Sequence, residues 1–175
     1  MSIEYDESKS RAPQVGALIH AAIGLIASET LSPTPARIMS VAGDCVDRFP
    51  RIEGRAHRQN VAAGTAAYFA RLLPPPAWLF HGTEVHLGHG RLDLLWTDAR
   101  DRILIDEVKT GYSRSLHLQR TRDQVEGYRA CASDTWGDRF AGVRLLSTGD
   151  PFESLLVPAA GDTVGLFTTA FVRGA

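Results

Sequence analysis

The sequence predicts an α/β protein: a mixed central β-sheet with an antiparallel hairpin at its core, flanked by helices. Three observations carry that prediction. The apolar spacing is helical as far as Leu73, and Pro74-Pro75-Pro76 then breaks it. Beyond the prolines come short β-branched and aromatic runs bounded by Gly and Asp, with one further helical segment among them. Helices, then a meander, then a helix crossing to another strand build a layered α/β sandwich.

Taken in order, the polar start MSIEYDESKSR predicts a frayed tail over residues 1–11, neither signal nor transit peptide. One domain is expected over 12–175, helical over 12–73, with the sheet and crossing helix over 77–175. Residues 12–29 carry Ala, Leu and Ile on every face, which predicts a largely buried helix. Thr34 followed by Pro35 predicts an N-cap with Pro at the first helical position, and that second helix runs to about Phe49 before Pro50. A third helix is expected from about Gly54 to Leu73. Strands are expected at 77–81, 83–88, 90–98 and 102–109, a helix at 115–132, a buried strand at 140–147, and one or two short strands after it.

Composition narrows the function classes. The chain has 175 residues, 44% apolar and 22% charged, enough for one real core. No apolar run reaches the length of a membrane span, so no membrane partner and a cytoplasmic location are expected. Two cysteines, Cys45 and Cys131, exclude a disulfide framework, a four-cysteine zinc site and a four-cysteine iron–sulfur cluster. The net charge of −1 gives no global case for a nucleic-acid partner. Locally, arginine clusters at Arg48, Arg51, Arg55 and Arg58, and again at Arg114, Arg120, Arg122 and Arg129. Arginine suits bidentate phosphate contacts, although a lysine-poor proteome would produce the same pattern. Only Lys9 and Lys109 are lysines, and Lys109 ends an apolar strand.

The segment GRLDLLWTDARDRILIDEVKTG is the informative one. A hairpin turn centred on Arg100 sets Asp93 directly across from Glu107, on one face, with side chains about 5 Å apart. Alternation puts Lys109 on that face too, and Asp106 with Val108 on the other. Opposed carboxylates repel unless one is protonated or a cation lies between them. A hard divalent ion, held by carboxylates, the Val108 carbonyl and water, fits such a place. A salt-bridged cluster at the end of a sheet fits the same residues.

These residues resemble a known family. Asp93, then Glu107-Val108-Lys109 fourteen positions on, looks like the core of the PD-(D/E)XK nuclease superfamily, in its RecB/Cas4-like branch. Three more marks are similar: Gly90-Arg91-Leu92-Asp93, Gln124 with Tyr128 four residues on, and Gly16 with His20 four residues on. The resemblance spans residues 16 to 128 and implies a restriction-endonuclease-like fold and Mg²⁺- or Mn²⁺-dependent hydrolysis of DNA. It implies metal ligands at His20, Asp93, Glu107 and the Val108 carbonyl, and catalytic roles for Asp93, Glu107, Lys109, Gln124 and Tyr128. Taken alone, His20 reads more readily as a core histidine, and Gln124 with Tyr128 as a solvated amide above a half-buried ring. Glu84 falls where related enzymes carry an accessory acid; His86 and His89 read as surface residues. Arg55, Arg58, Arg114, Arg120 and Arg122 are the candidate DNA contacts. The chain departs from Cas4 in lacking iron–sulfur cysteines, and with no Walker-type loop any helicase motor would be a separate chain. A second reading is a nuclease-fold subunit that binds DNA or a protein partner within a larger complex without cutting.

Overall fold

A computed structural model describes residues 7–48, 55–88, 90–110 and 113–166, with side chains of the first helix described from Gln14 onward. Residues 1–6 of the expected tail, with Arg51, His89 and Gly111, lie outside the described residues. The chain divides into two compact units, Met1–Phe69 and Ala70–Ala175.

The first unit is helical. Helix α1 (Glu7–Ala27) opens ahead of Ala12, and α2 (Pro35–Asp47) opens where expected. Thr34 Oγ1 accepts the Arg37 N–H at 3.2 Å, and Pro35 fills the first turn, where a missing N–H costs nothing. Leu18, Ile19, Ala22, Ile23 and Ile26 are buried, a stripe at helical spacing, while Leu25 stays exposed. The apolar residues of α1 therefore divide into a packed face and an open one. Helix α3 (Arg55–Arg71) buries Val61, Ala62, Thr65 and Tyr68, and its last turn passes into the second unit.

Among the described residues, the second unit is built on a six-stranded mixed sheet in the order β1-β2-β3-β4-β5-β6. Strands β1 (Trp78–Leu87), β2 (Gly90–Asp98) and β3 (Ile103–Lys109) form an antiparallel meander. A 3-10 turn (Ser113–His117) and helix α4 (Gln119–Trp136) then cross to β4 (Phe140–Ser147), parallel to β3. Strands β5 (Leu155–Pro158) and β6 (Val164–Gly165) complete it antiparallel. The fold is thus mixed α/β with a mixed central sheet. The two strands expected at 77–81 and 83–88 are one strand, because a register shift between Phe80 and Gly82 absorbs the break in alternation as a bulge. The helix expected at 115–132 is a 3-10 turn followed by α4, which runs on to Trp136.

The β2–β3 register is the one a turn about Arg100 dictates, with Leu94 opposite Asp106 and Thr97 opposite Ile103. Asp98 holds that turn: its Oδ1 accepts the N–H groups of Arg100 and Arg102, each at 2.9 Å, and its Oδ2 accepts the Arg102 guanidinium at 2.7 Å. One face of the sheet packs Leu95, Ile103, Ile105, Val143 and Leu145 against Val125, Tyr128 and Ala132 of α4. Those α4 positions recur at helical spacing, which is why this helix lies flat on the sheet. Among the described residues no helix is long and apolar enough to cross a membrane.

Candidate metal centre

The candidate site lies in the second unit, where β2 and β3 part company. Their last paired rung is Leu94 with Asp106. One step further, where Asp93 and Glu107 would face each other, side chain replaces backbone: Asp93 Oδ2 accepts the Val108 N–H at 2.7 Å. The carboxylate thus caps the β3 edge as the ladder opens. In an extended strand the N–H and C=O of one residue point to the same edge. The Val108 carbonyl therefore points toward β2, on the Asp93 side. The next residue alternates, and the Lys109 carbonyl accepts the Thr148 N–H at the end of β4.

From Glu107 a directed chain of hydrogen bonds runs to β2. Lys109 Nζ donates to Glu107 Oε1 at 2.5 Å and to Gln124 Oε1 at 3.0 Å. Gln124 Nε2 donates to the Tyr128 hydroxyl, and that hydroxyl donates to the Arg91 carbonyl, each at 2.9 Å. Polarity is consistent at each link, because an ammonium can only donate and an amide must turn its oxygen toward it. Burial pushes the Tyr128 hydroxyl above its ordinary pKa; the Gln124 bond opposes this, while the negative charges of Glu107 and Asp93 add to it. Tyr128 therefore stays a neutral donor at ordinary pH.

Two glycines make this approach of helix to hairpin tip possible. A Cβ on Gly90 would stand 2.6 Å from Tyr128 Cε1, and one on Gly88, at φ +56°, would stand 2.9 Å from Cys131 Sγ. The Gly of Gly90-Arg-Leu-Asp93 is thus the floor on which the tyrosine ring rests.

Glu84 joins the same end of the sheet from β1. A carboxylate oxygen of Glu84 and one of Asp93 lie within 4.8 Å of each other, and Glu84 also pairs with Arg91. His20 stands half-buried on α1, in the first unit. Arg55 and Arg58 are exposed on α3 of that unit, Arg58 pairing with Asp47. Arg114, Arg120 and Arg122 are exposed on the 3-10 turn and the first turn of α4, whereas Arg129 is half-buried and donates to the Ala159 carbonyl. His86 is exposed on β1.

Asp106 points the other way, as alternation requires. It is fully buried and accepts Arg144 Nε at 2.6 Å, a second Arg144 nitrogen at 2.5 Å and the Trp96 indole at 2.9 Å. Sequence reasoning missed this cluster and the Arg91 carbonyl. The signal for the first is legible in hindsight: Arg144 interrupts the apolar run FAGVRLLS, and a charge in a buried strand requires a buried partner.

The carboxylates that lie together in the second unit, Asp93 and Glu84, offer hard oxygen, as do the neighbouring Glu107 carboxylate and Val108 carbonyl on β3. Such donors suit Mg²⁺ or Mn²⁺ over a soft metal. No protein-family model matches the chain, and no curated protein matches it in sequence.

Proposed function

We propose that the second unit is the restriction-endonuclease-like core of a metal-dependent nuclease that hydrolyses phosphodiester bonds, in DNA before RNA. One observation carries the reading: Glu107, Lys109, Gln124 and Tyr128 form one directed hydrogen-bond chain that ends on the Arg91 carbonyl of β2, and Asp93 of that strand accepts the N–H of Val108, the residue between Glu107 and Lys109. A salt-bridged sheet end would need only the acids and the lysine. The added amide and phenol fix the lysine's direction and tie it to the backbone of the strand that carries Asp93.

Asp93, Glu107 and the Val108 carbonyl would hold Mg²⁺ or Mn²⁺, with Glu84 as a further oxygen donor. When bound, such an ion activates water and offsets negative charge growing on the phosphate. The rest falls to the chain itself. Lys109, aimed by Gln124, holds the attacking water or an oxygen of the phosphate. Tyr128 keeps Gln124 from turning and anchors the Arg91 end of β2. Arg114, Arg120 and Arg122, exposed on the 3-10 turn and the first turn of α4, would supply sequence-blind and salt-dependent contacts to the phosphates of a bound strand. A helicase or other complex subunit would supply target choice from the cytoplasm.

The test is cleavage of single- and double-stranded DNA in Mn²⁺ and Mg²⁺ by the wild-type chain, Glu107→Gln and Lys109→Met. Each variant should lose roughly two orders of magnitude or more in rate. Cleavage equal to wild type in either one refutes catalysis at this site. Mn²⁺ binding that Asp93→Asn abolishes, with no cleavage by the wild type, would instead identify a non-cutting subunit.

A further inference from the structure

Glu84 sits at φ +55°, a backbone region that L side chains seldom adopt. It is not at a turn tip. The rungs on either side, Thr83 with Leu94 and Val85 with Leu92, are regular, so the ladder resumes across it. Those rungs place Glu84 at the level of Asp93. Two carboxylates at one rung repel, and a glycine there would relax the backbone. Arg91 lies two residues before Asp93 on β2. It pairs with Glu84, yet its side chain keeps 64% of its surface in solvent. A strained acid beside an acid, steadied by a mostly exposed arginine, is a poor structural device. Outliers of this kind collect where two states must alternate.

We infer that Arg91 is a substrate-phosphate contact held in reserve by Glu84, and that a divalent cation releases it by drawing the Glu84 carboxylate toward Asp93. The inference rests on the metal-centre reading above and adds to it the order of events: cation first, phosphate second. Without the cation, Glu84 occupies the guanidinium and keeps the site from holding a nucleic-acid backbone it could not cut. With the cation, Glu84 turns to it, and the Arg91 fork is free for a bidentate phosphate contact. Coupling of this kind is reciprocal, so bound phosphate must also tighten the cation.

The test is anisotropy of a short fluorescein-labelled duplex with the full chain, in EDTA and in Ca²⁺, across a salt series. Arg91→Gln should bind like wild type in EDTA. In Ca²⁺ it should bind roughly tenfold more weakly, with a salt slope lower by about one. Glu84→Gln should bind more tightly than wild type in EDTA, and by more than Glu153→Gln, an exposed acid elsewhere on the unit that loses the same charge. Arg91→Gln equal to wild type in Ca²⁺, or equally weakened in both buffers, overturns the inference. So does Glu84→Gln no tighter than Glu153→Gln. Mn²⁺ binding, followed by electron paramagnetic resonance on the same proteins, separates the two levels. If the wild type binds Mn²⁺ and Asp93→Asn does not, a failed anisotropy test sinks the latch alone. If the wild type binds none, the metal centre falls and takes the latch with it.

Discussion

Asp106→Asn is the substitution that separates the two faces of β3. It preserves volume and leaves an acceptor for the Trp96 indole, but it removes the charge to which two Arg144 nitrogens donate. The Arg144 side chain is 2% exposed and cannot turn to water. Removing one partner of a buried ion pair costs about 3–5 kcal/mol. Asn, keeping shape and one bond, belongs near 3 kcal/mol. Asp106→Ala also strips the indole of its acceptor, at roughly 1–3 kcal/mol more. Against a total stability of about 5–15 kcal/mol, either is a large fraction. With a urea m-value near 2 kcal/mol/M, Asp106→Asn should lower the unfolding midpoint by about 1.5 M. Urea titration by circular dichroism and tryptophan fluorescence reads this directly. The double variant Asp106→Leu/Arg144→Met should recover most of the loss, since it removes both charges together. A midpoint drop below about 0.5 M for Asp106→Asn, or a double variant no more stable than Asp106→Leu alone, would show that the pair does not hold the strand.

Two further predictions concern the hairpin. Gly90→Ala drives a methyl to 2.6 Å from the Tyr128 ring and should cost about 1–3 kcal/mol, a fall of roughly 2–12 °C in melting temperature. The penalty should largely vanish in a Tyr128→Ala background, and equal penalties in the two backgrounds would put the strain elsewhere. At Asp98, burial acts to raise the carboxyl, but the Arg102 and Arg100 N–H groups and the Arg102 guanidinium outweigh it and hold its pKa below the ordinary 3.8. A depressed folded pKa gives stability that is complete above the unfolded value and lost as pH falls through the folded one. The stability difference between wild type and Asp98→Asn should thus be constant above about pH 5 and shrink as pH falls below about 4. A difference that persists unchanged to about pH 2 would mean the Asp98 charge is not what holds the turn.

Much of the second unit was legible because its signals are local. The triple proline, the turn about Arg100, the alternation of β3 and the four-residue spacing of Gln124 and Tyr128 each act over a few residues. The β2–β3 register and the opposite facing of Asp106 and Glu107 follow from those alone. What alternation could not reveal is where pairing stops. The rung drawn between Asp93 and Glu107 gives way to a bond from the Val108 N–H to the Asp93 carboxylate, because an acid can cap a strand edge as well as face another acid. Nor could spacing show that β1 is a single strand, since the bulge at Phe80 and Gly82 disguises its alternation. The Asp106–Arg144 pair lay hidden for a different reason: its members are 38 residues apart, joined only by the crossover through α4.

That hidden pair explains how β3 can carry acids on both faces without ambiguity. Asp106 and Glu107 are neighbours of the same charge, so composition does not choose which one enters the core. A slip of one residue would exchange them. It would also send Lys109 to the reverse face, away from Gln124, and set Ile105 or Glu107, according to its direction, where Asp106 now meets Arg144. The buried pair on one face and the Lys109–Gln124 bond on the other therefore specify the same register from opposite sides. Fixing register is the best-attested use of a buried ion pair, whatever its net stability. Glu107 and Lys109 can then stand at the open end of the sheet with their direction set, because the residue between them is anchored by Asp93 and the residue before them by Arg144.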